Sequence, residues 1–261
     1  MPSDIVIDRH AATLTVRIDR PEVRNACRAQ TLAELNAALA AAAADPSVRA
    51  LILAGTGDKA FCAGADLREM AAAGSAEAVR DLMRGWWDLM AALRGLRKPA
   101  IAAVRGYAVG GGTEIALACP ITLASETARF GLAEIRHGHL PGAGGTALLP
   151  RQIGYGRGAY YLLTGDEIPA REAERLGLVA KVVPDAALEA EAEALAARLA
   201  ALSPAAVAAM LTTLVEGRGL PVDQAIALEQ RTCAGLRGTP DFVEGLRAFV
   251  EKRPPRYGGG A

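Results

Sequence analysis

Two glutamates in apolar company are the residues of this 261-residue chain best suited to chemistry. Glu114 stands two residues past the run Gly110-Gly111-Gly112 and heads the apolar stretch Ile115-Ala116-Leu117-Ala118-Cys119, while Glu134 follows Phe130-Gly131-Leu132-Ala133. Withdrawal from water penalises the charged form of a carboxyl, so its pKa rises and it can hold or release a proton near neutrality. The glycines add a second capability. Without side chains the backbone can approach a ligand closely and adopt φ values closed to other residues. A helix following such a run offers free N–H groups and the positive end of its dipole to negative charge. Each feature alone is also explained by a tight strand-to-helix turn or by an acidic helix start, and the pair acquires chemical meaning from the motifs around it. Nucleotide binding is disfavoured, since neither this run nor Gly142-Ala143-Gly144-Gly145-Thr146 satisfies G-x-G-x-x-G and no G-x-x-x-x-G-K-[ST] occurs. G-x-S-x-G and H-E-x-x-H are missing as well.

The elements that position these residues can be read from periodicity. Leu14, Val16 and Ile18 alternate with Thr13, Thr15, Arg17 and Asp19, which predicts a half-buried strand. Thr31 and Glu34 form a capping-box pair ahead of a helix marked by Leu32, Leu35 and Leu39, running to about Ala44 and closed by Asp45-Pro46. Ala50 to Ala54 and Ala100 to Val104 are continuous apolar runs that predict buried strands, and Ile121 to Ala124 is strand-like. Between them a helix is expected over Ser75–Gly95, with a stripe of Val79, Leu82, Met83, Trp86, Leu89, Met90 and Leu93. A further helix, Thr113 to Cys119, follows the glycines. Alternating strands and helices argue for an α/β domain with parallel pairing. From about Ala186 only helices follow: Ala186–Ala201, Pro204–Glu216, Val222–Leu236 and Asp241–Glu251, with Ser203-Pro204 and Thr239-Pro240 as start signals. The tail from Pro254 to Gly260 is expected to be extended or mobile. The organisation is thus a core over residues 1–200 and a helical module over 201–261.

Bulk composition narrows the function. Half the chain is apolar but aromatics make up only 4%, so the core must rest on Ala, Leu, Val and Ile. Acidic and basic residues balance at 29 each, which argues against nucleic-acid or anionic-membrane binding. The four cysteines, Cys27, Cys62, Cys119 and Cys233, follow neither a C-x-x-C nor a zinc spacing, so reduced thiols in a cytoplasm are expected and no metal is implied. No signal peptide and no membrane-spanning run is read.

Four ordered motifs carry a resemblance: Phe61-Cys62-Ala63-Gly64-Ala65-Asp66-Leu67, Gly106-Tyr107-Ala108-Val109-Gly110-Gly111-Gly112-Thr113-Glu114, Phe130-Gly131-Leu132-Ala133-Glu134, and Leu140-Pro141-Gly142-Ala143-Gly144-Gly145-Thr146. With Arg20-Pro21-Glu22-Val23-Arg24-Asn25-Ala26, Leu163-Thr164-Gly165 and Phe249-Val250-Glu251-Lys252-Arg253, they resemble the enoyl-CoA hydratase/isomerase (crotonase) family over nearly the whole chain. The resemblance implies a crotonase-like spiral of ββα units with a C-terminal helical trimerisation region, where periodicity alone suggests a doubly wound sheet. It implies a homotrimer or dimer of trimers acting on an acyl-CoA, with coenzyme A entering as part of the substrate and no separate cofactor.

Site roles carried over by the resemblance are as follows. The N–H groups of Ala65 and Gly111 would form an oxyanion hole for the thioester carbonyl. Glu114 would orient and activate water for C3, and Glu134 would deliver a proton to C2. Arg24, Ala63, Asp66, Leu67, Trp87, His137 and Gly142 would contact substrate. Lys59 and Lys252 are candidates for the CoA phosphates, Lys252 reaching from a neighbouring subunit. Trp86 fits the core stripe and Trp87 does not. His137 and His139 stand where aliphatic residues are more usual, as Pro120, Arg105 and Cys27-Arg28 also depart from the family pattern. Retention of both glutamates points to syn hydration of a 2-enoyl-CoA to a 3-hydroxyacyl-CoA. Isomerisation, decarboxylation and hydrolysis are alternatives on the same fold. A non-catalytic binding or scaffold role is a further one, and its RNA-binding form is opposed by the four lysines (Lys59, Lys98, Lys181, Lys252) and zero net charge.

Overall fold

A computed structural model describes residues 2–258. The chain opens with an antiparallel pair, β1 (Ile5–His10) and β2 (Thr13–Ile18), followed by helix α1 (Ala29–Ala44). Three strand pairs follow. β3 (Ala50–Gly55) and β4 (Ala60–Cys62) lead to α2 (Leu67–Ala72) and α3 (Ala76–Gly95). β5 (Ala100–Val104) and β6 (Tyr107–Val109) lead to α4 (Gly111–Ala118). β7 (Ile121–Ser125) and β8 (Arg129–Gly131) lead to a 3-10 turn (Glu134–His137), then α5 (Gly145–Ile153) and α6 (Tyr155–Thr164). The core closes with β9 (Ile168–Pro169), α7 (Ala170–Leu176), β10 (Lys181–Val183) and α8 (Leu188–Ala200), and the chain ends in α9 (Pro204–Gly217), α10 (Val222–Leu236) and α11 (Pro240–Val250).

The two strands of each pair enter different sheets. One sheet has the order β1-β2-β3-β5-β7-β10 and the other β4-β6-β8-β9. β3, β5 and β7 stack in parallel, and so do β4, β6 and β8. Each ββα unit therefore advances both sheets by one strand, and the chain winds as the spiral that the family resemblance implied rather than as a single doubly wound sheet.

The inner strands of the larger sheet are buried on both faces, and the period of two along them sorts the core. Leu51, Leu53, Ala100, Ala102 and Val104 face α1 and α3, meeting Leu35, Leu39, Trp86 and Leu89. Ala50, Ile52, Ile101, Ala103, Leu123 and Val183 face α8, meeting Leu188, Ala192, Ala196 and Ala200. This second layer corrects the half-buried reading of β2. Thr13 and Thr15, which were to face water, are only 7% and 8% exposed, because α8 packs over that side.

Helix boundaries fall close to expectation, with one instructive shift. Helix α1 starts at Ala29, so Thr31 is not its cap but its third residue, and its hydroxyl accepts the Arg28 N–H at 3.2 Å. Glu34 instead accepts Ser3 Oγ and the Asp4 N–H, both at 2.8 Å, and so ties the N-terminal segment down. Asp4 is buried against the Arg28 guanidinium at 2.7 and 2.8 Å and the Thr31 hydroxyl at 2.6 Å. Ser203 and Thr239 cap α9 and α11 as expected, and Ser75, expected inside α3, caps it instead, each hydroxyl accepting a first-turn N–H. Arg49, just before β3, donates to the Leu202 carbonyl and, at 3.4 Å, to that of Tyr257, linking the core to the last helices. Gly259 and Gly260 of the expected mobile tail lie outside the described residues.

Candidate active site

The smaller sheet delivers the chemistry. β4, β6 and β8 end side by side, and the loops leaving them converge on one cavity of about 210 Å³. After β4 the chain passes Ala63, Gly64 and Ala65. A parallel bridge fixes this loop, since the Cys27 N–H donates to the Gly64 carbonyl and the Asp66 N–H to the Cys27 carbonyl, both near 2.8–2.9 Å. In a parallel bridge the residue between those two bonds turns its own N–H the other way, so the Ala65 N–H points away from the Cys27 segment, and Ala65 itself lines the cavity. After β6 comes Gly110, with φ of 55°, and then Gly111, the first residue of α4, whose N–H has no carbonyl one turn back. Neither N–H donates to the backbone among the described residues.

Gly64 lets the loop after β4 approach the loop after β6. Its φ is 87°, and a Cβ there would lie 2.8 Å from the Val109 carbonyl and 3.1 Å from the Gly111 nitrogen, filling the space between the two loops. At Gly111 a Cβ would collide with the Trp86 ring. The glycine requirement is thus set by tertiary contact with α3, not by the turn alone.

Glu114 sits in the first turn of α4 and is 2% exposed. Its Oε1 accepts the N–H groups of Ala143, in the loop before α5, and Gly145, the first residue of α5, both at 2.8 Å. Burial pushes the carboxyl up to about 7; the two backbone bonds oppose the rise, and the nearby Glu134 charge adds to it. Glu134 opens the 3-10 turn after β8 and is also raised by burial, against its own backbone N–H and the charges of His139 and His137. Its Oε2 is buried and has no hydrogen-bond partner among the described residues, and its Oε1 lies beside Gly110. Two carboxyls of raised pKa, one unsatisfied, therefore line the same cavity as the converging N–H groups.

The remaining expected residues divide. Ala63, Leu67, His137 and Gly142 line the cavity, as does His139. Asp66 does not: its carboxylate caps α2 by accepting the Arg68 N–H and pairs with Arg20 at 3.2 Å. Trp87 does not line it either. It is 46% exposed, and its Nε1 donates to the Gly142 carbonyl at 2.9 Å, steadying the loop that holds Glu114. The tryptophan that does line the cavity is Trp86, which is 3% exposed and fits the core stripe, and not Trp87, the better pocket candidate by sequence; Met83, one turn earlier, lines it too. Their shared stripe on α3 gave no sign of this, because a cavity wall and a core face look alike in periodicity. Arg24 and Lys59 line a separate cleft of about 230 Å³ with Asn25, Thr56 and Asp58, and the Arg24 guanidinium lies 5.7 Å from the Tyr107 ring centroid. Lys252 lies just past α11 with φ of 53°, away from both cavities. Pro120 follows the end of α4 and is exposed, and Arg105 bonds the Asp185 carbonyl at 2.9 Å, so neither departure touches the cavity.

Such an arrangement can hold a negatively charged oxygen on two fixed backbone donors while paired carboxyls move a proton beside it, the equipment of an enzyme that passes through an enolate. The comparisons with known proteins agree. The model of the enoyl-CoA hydratase/isomerase family matches residues 8–260. An (E)-benzylidenesuccinyl-CoA hydratase of Thauera aromatica is 38% identical over 99% of this chain and 100% of its own length. A 2,3-dehydroadipyl-CoA hydratase of Escherichia coli K12 is 39% identical over 98% of this chain and 99% of its own. The crystal structure of an enoyl-CoA hydratase from Bacillus anthracis superimposes with a TM-score of 0.95 at 38% identity, covering 98% of this chain and 99% of that one. The chain belongs to the enoyl-CoA hydratase/isomerase (crotonase) family.

Proposed function

We propose that this chain hydrates 2-enoyl-CoA thioesters by syn addition of water, giving 3-hydroxyacyl-CoA. The observation that carries the reading is the meeting of Glu114 and Glu134 on the cavity that also receives the Ala65 and Gly111 N–H groups. The thioester carbonyl accepts from those two groups. As water adds at C3, charge moves onto that oxygen, and a preorganised donor there lowers the barrier by about 3–4 kcal/mol. Glu114, poised near neutrality, takes the proton from water as it attacks C3. Its bonds to Ala143 and Gly145 both fall on Oε1, leaving Oε2 for the water. Glu134, whose Oε2 is buried without a partner, gives its proton to C2. The two carboxyls flank one face of the double bond, so both new bonds form on that face. Proton balance is restored by exchange between the acid pair and solvent.

Coenzyme A arrives as part of the substrate, and the chemistry assigned here uses side chains and backbone alone. The Arg24–Lys59 cleft supplies cations for the CoA phosphates, with Lys252 reaching from a neighbouring copy. Several large apolar residues of α9–α11 are exposed, including Met210, Leu214, Ile226, Leu246 and Phe249, and we assign them to contacts between copies in a trimer or dimer of trimers. No single helix among the described residues is long and apolar enough to cross a membrane. We place the enzyme in the cytoplasm from its cysteine usage.

The test is loss of the conjugated enoyl-thioester absorbance with crotonyl-CoA, followed by product mass. A gain of one water supports the hydratase reading. A shifted double bond or released CoA moves the site to isomerase or hydrolase chemistry, and binding without turnover moves it to decarboxylation of an acyl-CoA that carries its own carboxylate. Glu134→Gln, which keeps the shape and removes the proton, should lower hydration by about 10²–10⁴-fold while CoA-thioester binding persists.

A further inference from the structure

Four ionisable side chains line the cavity, and hydration occupies only two of them. Besides Glu114 and Glu134 these are His137 and His139; the other large side chains, Leu67, Met70, Met83 and Trp86, are apolar. Both histidines come from one tight turn. The 3-10 helix Glu134–His137 ends at Gly138, whose φ of 73° reverses the chain. The His139 N–H then returns to the Glu134 carbonyl at 3.2 Å. This geometry brings two imidazoles, two residues apart, to the same wall.

Neither ring makes a hydrogen bond or an ion pair among the described residues, and both residues are exposed at the cavity's open side. Arg136, the residue before them, is occupied elsewhere, bonded to Asp166 at 3.1 Å and to the Thr164 carbonyl at 3.3 Å. Their charges reach Glu134, whose carboxyl they hold down against burial, but no hydrogen bond joins them to it. A pair of free imidazole donors on a wall otherwise built of thioether, leucine and indole is a recognition element for an acceptor that the acyl group itself brings.

We propose that His137 and His139 bind a carboxylate at the far end of the acyl chain, so that the preferred substrate is the enoyl-CoA of a dicarboxylic acid. This rests on the hydratase reading and deepens it. An imidazole N–H, and more so an imidazolium, forms a charge-assisted bond with a carboxylate. A methyl-ended chain would leave both donors to water and bring nothing in exchange. Because the turn also carries Glu134, a carboxylate seated on the histidines fixes the far end of the chain relative to the group that protonates C2.

The experiment compares two six-carbon trans-2-enoyl-CoA thioesters, one ending in a methyl group and one in a carboxylate. The wild-type protein and the His137→Ala/His139→Ala double variant are each assayed with both. The quantity read is the ratio of kcat/KM values within each protein, so a general loss of activity in the variant cancels. The wild type should favour the carboxylate substrate by about tenfold or more, the scale of a hydrogen bond to a charged group at a solvated site, and the variant's ratio should fall toward one. A wild-type ratio at or below one overturns the proposal without reference to the variant, and so does a high ratio that the double substitution leaves unchanged. Hydration of the methyl-ended substrate with no preference removes this inference and leaves the hydratase reading standing. Hydration of neither removes both.

Discussion

Replacing Glu114 by glutamine should make this protein more stable while disabling it, and the size of the gain follows from where the carboxyl sits. Burial raises its pKa from 4.5 to about 7. One pKa unit corresponds to about 1.4 kcal/mol, so ionising this side chain inside the folded protein costs about 3 kcal/mol more than in the unfolded chain. The sign follows from proton binding. Between pH 4.5 and about 7 the folded state holds a proton that the unfolded state has released, so stability is full below that window and lost as pH rises through it. Glutamine does not titrate, and its amide oxygen still accepts the Ala143 and Gly145 N–H groups. At pH 4.5 the two proteins should therefore melt alike, whereas at pH 8 the variant should gain about 3 kcal/mol. A chain of this size shifts by about 2 °C per kcal/mol, giving a rise in Tm of about 6 °C. Hydration of crotonyl-CoA should fall by about 10²–10⁴-fold in the same variant. Melting curves at pH 4.5, 6, 7 and 8 with matched rate measurements decide it. An offset that is the same at every pH would refute the buried, titrating carboxyl, and near-wild-type turnover would refute its part in activating water.

Three further outcomes are expected. The pH–rate profile for kcat/KM should be bell-shaped, its acid limb rising with a midpoint near pH 7 as Glu114 ionises to accept the proton of water, and its alkaline limb falling as Glu134 loses the proton it delivers to C2; a flat profile from pH 5.5 to 8 contradicts these roles. Gly111→Ala drives a methyl group into the Trp86 ring, which should cost about 1–3 kcal/mol in denaturant melts and, by displacing one oxyanion donor, about 10²–10³-fold in kcat. Arg24→Ala combined with Lys59→Ala should raise KM for acyl-CoA by about tenfold with a smaller effect on kcat, and should flatten the dependence of KM on salt; an unaltered KM would remove their cleft from the CoA path.

How much of the fold was legible depends on strand length. Periodicity found β2, β3, β5 and β7, all in the larger sheet, where runs such as Ala100–Val104 are long and apolar enough to stand out. It missed β10, a three-residue edge strand of the larger sheet, and β4, β6, β8 and β9, which have only three, three, three and two residues and make up the whole smaller sheet. Segments this short hold no period. They are strands because each pairs with the next turn of the spiral, a non-local condition. The edge strand β1 escaped for another reason, since Val6 and Ile7 are both exposed and display no buried face. The helices of the C-terminal module were legible to within about two residues through their Ser and Thr caps and the prolines beside them.

By itself the sequence determined the chemical kit. Glu114 and Glu134 in apolar surroundings, the glycines around them, and the ordered motifs from Phe61 to Thr146 were enough to identify the family and to nominate the acid pair and the oxyanion donors. Tertiary structure decided which neighbours surround that kit. It moved Asp66 to a helix cap, gave Trp87 the Gly142 carbonyl to hold, and brought Trp86 from the core stripe to the cavity wall beside Gly111. It also turned His137 and His139 onto that wall and left Glu134 Oε2 buried without a partner. Residue type and spacing record what a side chain can do, because that is fixed by its own covalent chemistry. What it faces depends on loops from three separate ββα units meeting at one end of a sheet too short-stranded to show in any local pattern.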